Sequence, residues 1–98
     1  MASMTRHERA LYYAQRLKSS QDIFKEAAKI KKEIDSLIWS KDKTPLPLKE
    51  KLAILNEVKR IIIHGERSKE GLLLIEAGDN SGILDVIDSI ENELKQGT

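Results

Sequence analysis

The chain has no cysteine, which excludes disulfides, thiolate zinc centres and cysteine nucleophiles. It is short of aromatics: Tyr12, Tyr13, Phe24 and Trp39 are the only four among 98 residues. Neither sign of charge dominates, since seventeen Lys and Arg face sixteen Asp and Glu. That balance is too even for a dedicated nucleic-acid binder. No apolar run approaches the roughly 18 residues of a membrane span, and no signal-peptide core precedes a cleavage site. A soluble cytoplasmic protein of one domain is therefore the expectation.

What is present is periodic. Residues 1–4 resemble the opening of an expression tag and are set aside, which leaves a domain over 5–96. Thr5-Arg6-His7-Glu8 fits the capping box, in which a hydroxyl accepts from the third backbone amide while the glutamate reaches back. Ala10, Ala14 and Leu17 follow at helical spacing. Ser19-Ser20-Gln21-Asp22 repeats the box signature, and Ile23, Ala27, Ile30, Ile34 and Leu37 form a second stripe. At about 100° per residue these two stripes fall on opposite sides of a single straight helix. A break near Ser20 lets both face one core, so helices are predicted over 6–18 and 20–39.

Pro45 and Pro47 bracket Leu46 after a polar loop, with Pro47 placed in the first turn of the next helix. Leu48, Leu52, Leu55, Val58 and Ile62 then give a stripe that His64 and Gly65 close, predicting a helix over 47–64. The stretch 61–78 reads two ways. Ile61-Ile62-Ile63 and Leu72-Leu73-Leu74-Ile75 around a turn-rich segment describe a β-hairpin. The register running smoothly from Leu55 into Ile62, with Ser68 as a cap and Gly78 as a stop, describes a short helix over 69–77, which is the expectation adopted. Asp79-Asn80-Ser81-Gly82 is turn chemistry. Ile83, Ile87, Ile90 and Leu94 mark a last helix over 82–96. Short connections between amphipathic helices predict an all-α, antiparallel four-helix bundle with a short extra helix. Ile30, Ile34, Leu52, Leu55, Ile87 and Ile90 are expected at the centre of its core.

Charge is divided along the chain. Residues 1–44 carry ten Lys or Arg against six acids, whereas Glu76 to Leu94 holds six acids and no base. Such a division helps to choose which helices pack together, or offers two poles to partners.

Few constellations carry chemistry. Lys25, Lys29 and Lys32 share one line of a helix, joined by Lys18 if the helix direction is kept across the break. A row of this kind meets phosphates or an anionic membrane surface, or is simply the solvated face of an amphipathic helix. His7 and His64 lie on different helices without a metal-ligand spacing, and read as helix-end or surface residues. Asp85, Asp88, Glu91 and Glu93 lack the alternation and the glycine of a calcium loop. There is no nucleophile elbow and no glycine-rich phosphate loop. No enzyme, metal, cofactor or nucleic-acid partner is expected. Trp39 reads equally as an interface residue and as a lid over one end of the bundle.

The middle segment Leu46-Pro47-Leu48-Lys49-Glu50-Lys51-Leu52-Ala53-Ile54-Leu55, a loop opening into a leucine-rich third helix, resembles the immunity proteins that protect Gram-positive bacteria from their own class II bacteriocins, of the pediocin-like and two-peptide types. Size and helix plan are similar as well. The resemblance implies a non-catalytic protein inside the producing cell that recognises a bacteriocin or its membrane receptor, often a sugar permease of the mannose phosphotransferase type. In that setting Lys25, Lys29, Lys32 and Trp39 become contacts with the membrane side or a partner, at the inner membrane face. The rival reading is a small adaptor that binds a cytosolic protein.

Overall fold

The computed structural model describes residues 5–39, 43–79 and 82–97. The expectations about residues 1–4, about Ser40, Lys41 and Asp42, and about Asn80 and Ser81 lie outside the described residues. Four helices carry the fold: α1 (Arg6–Ser19), α2 (Ile23–Asp35), α3 (Leu48–His64) and α4 (Ile83–Gln96). Between α3 and α4 stand two short strands, β1 (Glu66–Arg67) and β2 (Leu73–Ile75), paired antiparallel. α1 packs chiefly on α3, and α4 packs on both α2 and α3. The helical bundle that the apolar periodicity predicts is the observed architecture.

The first helix starts as its sequence dictates. Thr5 Oγ1 accepts from the Glu8 N–H at 3.1 Å, and Glu8 Oε1 accepts from the Thr5 N–H at 3.1 Å. The break that follows is real, but its cap is displaced. Ser19 turns its hydroxyl back to the Gln15 carbonyl at 2.8 Å, so it closes α1 instead of opening α2. Asp22 is the N-cap of α2, accepting from the Lys25 N–H at 3.2 Å. The far end of α2 is also shorter than its stripe predicts. The Ser36 hydroxyl bonds the Lys32 carbonyl at 3.0 Å, and the chain then runs extended, with a single antiparallel bridge between Ile38 and Pro45. The Leu46 N–H donates to the Leu37 carbonyl at 3.2 Å, and both leucines pack against the core. The extended chain thus sets Leu37 and Leu46 side by side against the core and leaves Ile38 exposed.

The short helix expected over 69–77 does not form; the hairpin reading of that stretch is the correct one, although Ile61, Ile62 and Ile63 remain in α3. Ser68 does not cap a helix. Its carbonyl accepts from the Gly71 N–H at 2.9 Å and its hydroxyl from the Leu72 N–H at 3.1 Å, which makes it the pivot of the turn between the strands. A nine-residue helix with Gly71 inside it and Gly78 at its end is marginal by itself. The hairpin needs to bury one apolar side chain to be held, and Ile75 is that residue. Gly65 ends α3 at φ 77°, ψ 178° and lets the chain reverse directly beneath β2.

Every buried side chain among the described residues is apolar or aromatic. Ile30, Ile34, Leu55, Ile87 and Ile90 are buried as expected, but Leu52 is only partly covered. Tyr13 enters the core, a place the sequence pattern does not single out. Ion pairs tie the helices together from outside. The Arg16 guanidinium donates to Glu26 at 2.6 Å and Glu33 at 2.8 Å, and lies over the rings of Tyr12 and Tyr13. Lys59 of α3 pairs with Asp88 and Glu91 of α4. The acidic last helix packs on α2 of the basic first half, but its ion pairs run to Lys59 of α3.

Candidate functional site

Burial selects the surfaces available for recognition, because large apolar side chains left in water are the informative exceptions. The hairpin presents three in succession. Leu72 is 66% exposed, Leu73 and Leu74 are less so, and Ile63 at the end of α3 is half-exposed. Strand alternation alone would turn Leu73 in with Ile75, so the row reflects what fails to cover it. Ile75 turns in, and the preceding leucines have no second layer above them. Two grooves flank the hairpin. One, of about 520 Å³, lies among Gln15, Lys18, Leu74, Glu76 and Ile83. The other, of about 360 Å³, lies among His64, Glu66, Arg67, Leu73 and Ala77.

A second surface lies on α2. Lys25, Lys29 and Lys32 are all exposed and share one side of the helix. Beside them Phe24 is 74% exposed, bordering a shallow groove of about 160 Å³ with Ala28, Val86, Ser89, Ile90 and Glu93. The acids of α2 are engaged elsewhere. Glu26 and Glu33 are drawn to Arg16, and Asp35 is shared by Lys31 and Lys51. Lys18 does not extend the row. It belongs to α1, and its Nζ donates to the Gly78 carbonyl at 2.6 Å, at the rim of the larger groove. Trp39 does not end a helix. It lies half-exposed in the extended segment after α2, its N–H donating to Thr44 O at 2.7 Å and its carbonyl accepting from the Lys43 N–H at 2.9 Å.

Phe24 is the residue the sequence reading passes over, although its spacing carried a signal. It stands four residues before Ala28 and off the Ile23–Ile30–Ile34 stripe, so an amphipathic α2 leaves it outside.

The titratable cluster at His7 was not legible at all. Its Nδ1 lies 2.8 Å from Glu57 Oε2 and its Nε2 lies 2.7 Å from Glu66 Oε2, residues 50 and 59 positions away. Only the imidazolium can donate to both, so the hydrogen bond to Glu57, and then that to Glu66, raise the His7 pKa above its ordinary value. Glu57 is also gripped by Arg60 at 2.6 Å; that bond first, with His7 adding to it, holds its carboxyl down at about 2. The two carboxylates face opposite ring nitrogens and cannot converge on one ion through the imidazole. No set of three or more His, Asp or Glu side chains among the described residues is placed to hold a metal. The cluster fastens the start of α1 to α3 and β1.

Asp79 likewise has a structural task. Its carboxylate accepts from the Ile83 N–H at 2.7 Å and the Leu84 N–H at 3.0 Å, so the α4 N-terminus is already filled by an anionic side chain. Among the described residues no helix is long and apolar enough to cross a membrane. No protein-family model, curated protein or solved structure matches the chain.

Proposed function

We propose that this chain is a non-catalytic recognition protein of the kind that gives self-protection against a class II bacteriocin. In this reading it stays in the cytoplasm of the producing cell and meets a bacteriocin-engaged receptor of the sugar-permease type, or the bacteriocin itself, at the inner membrane face. One observation carries the recognition role: the uncovered leucines of the hairpin, with grooves on both flanks. Exposed leucines set beside grooves are what a protein partner desolvates on docking. The immunity assignment draws further support from the bundle plan and from the segment 46–55, which opens into α3.

The test is survival. Expressing the chain in a bacteriocin-sensitive strain is expected to protect against at least one member of a class II panel. A Leu72→Ser, Leu73→Ser double variant is expected to lose that protection while melting like the parent, since both side chains are exposed. No protection across the panel refutes the immunity reading. Stable capture of a cytosolic protein without any bacteriocin, lost in the same double variant, would instead select the adaptor reading.

A further inference from the structure

We infer that the outward face of α2 is a docking surface for an anionic lipid bilayer, with Phe24 as its apolar anchor and Lys25, Lys29 and Lys32 as its headgroup contacts. The inference extends the proposed role at a membrane face, but it rests on α2 alone.

Charge complementarity is the first argument. Four carboxylates accompany α2, and each has an engagement. Asp22 caps the helix, Glu26 and Glu33 are held by Arg16, and Asp35 is shared by Lys31 and Lys51. No ion pair or hydrogen bond reaches the ammonium groups of Lys25, Lys29 or Lys32 among the described residues. The face is therefore cationic by arrangement, in a chain whose overall charge is only +1. Glu93, across the groove from Phe24, marks its acidic edge.

The second argument is what stands beside the charge. Among the described residues Phe24 has the highest exposure of the large apolar side chains. Ala28, one turn on, is also exposed and lines the same groove. Lys25, Lys29 and Lys32 run alongside over about 10 Å. The apolar stripe of α2 is buried in the core, which leaves Phe24 as the one large apolar side chain beside the lysines; on a bilayer the lysine stems snorkel while the ring enters the acyl boundary. Nucleic acid fits less well. Its affinity comes from many phosphate contacts, and three lysines on a two-turn row supply few. The hairpin leucines lack this charge signature, because Arg67 and Lys69 there are offset by Glu66, Glu70 and Glu76.

The experiment is co-sedimentation of the whole chain with vesicles. Phosphatidylcholine containing about one-third phosphatidylglycerol is compared with phosphatidylcholine alone, at low salt and at high salt. Binding is expected only on the anionic vesicles, and it should fall away as salt shortens the screening length. At about fivefold per lysine, the Lys25→Gln, Lys29→Gln, Lys32→Gln triple variant is expected to lose on the order of a hundredfold in affinity. Phe24→Ser should cost roughly tenfold. Circular dichroism and melting of both variants should match the parent, because all four side chains are exposed. Absence of binding to anionic vesicles, or binding unchanged in the triple variant, overturns the inference; so does lysine-dependent binding to duplex DNA without binding to vesicles. Bacteriocin protection by a chain that ignores vesicles would overturn this inference and leave the recognition reading standing.

Discussion

Replacing Gly65 with alanine tests how the hairpin is joined to the bundle. The residue sits at φ 77°, ψ 178°, a region that L side chains rarely occupy. Adopting it costs an alanine about 1–3 kcal/mol. A second cost comes from space. An added Cβ would lie 2.8 Å from the Ile75 carbonyl oxygen and 3.0 Å from the Ala77 backbone nitrogen. Both are main-chain atoms of the hairpin's return strand and the residues after it, so relief requires β2 to move off the end of α3. That movement would uncover Ile75, which is 4% exposed, at about 1.5–3 kcal/mol if complete. A total of about 2.5–6 kcal/mol follows, or a fall in Tm on the order of 20 °C for a domain of this size. Gly71→Ala is the internal control. It has φ 85°, but a Cβ there meets nothing within 4 Å, so only the conformational cost of about 1–3 kcal/mol applies. The assay is thermal and urea unfolding of both variants, followed by circular dichroism. Equal losses for the two, or a Gly65→Ala chain that melts with the parent, would refute the claim that close backbone approach is what requires glycine at 65.

Two further outcomes are expected. Ile87→Asp puts a carboxylate where the parent side chain is fully buried, with no polar group in the core to receive it, and Leu55→Asp does the same at 1% exposure. Losing about 1.5–3 kcal/mol of burial and adding a desolvated charge should leave either variant largely unfolded at room temperature. Native-like melting of both would contradict the packed core. The His7 cluster predicts a pH dependence of definite sign. The pKa of His7 is raised on folding, so the stability it contributes is fully present below its ordinary value near 6.5 and is lost as pH rises through the higher folded value. Glu57 acts oppositely: its contribution is present above the ordinary carboxylate range and is lost only as pH falls toward about 2. Because the His7 side chain is 41% exposed, solvent screening reduces the effect to about 1 kcal/mol. The Tm difference between the parent and His7→Gln should therefore be fully present below the ordinary histidine value of about 6.5 and shrink as pH rises above it; a gap that widens with rising pH would refute the assignment.

Parts of the molecule were legible residue by residue. Thr5 and Glu8 announce the start of α1 because a capping box is a purely local device. The stripes of α2, α3 and α4 are legible because each buries one side against the same core. Lys25, Lys29 and Lys32 share a face for the same reason, and their grouping survives in the structure. Local signals misled where two motifs competed for one residue. Ser19 can cap forward or backward, and the deeper stop of α1 took it. Ser68 can cap a helix or pivot a turn, and the turn took it once Ile75 found cover.

The sequence by itself determined the helical class and the apolar sides of the helices, because a 3.6-residue period is written in neighbouring positions. It also determined that α2 would leave three lysines facing water. Tertiary structure alone decided which charges remain available. Whether a lysine is paired depends on acids such as Asp35 being claimed from another helix, and whether His7 is held depends on carboxylates 50 and 59 residues distant. It decided, too, that the leucines after Gly71 stay uncovered, since a strand's exposure is set by what packs over it and not by its own pattern.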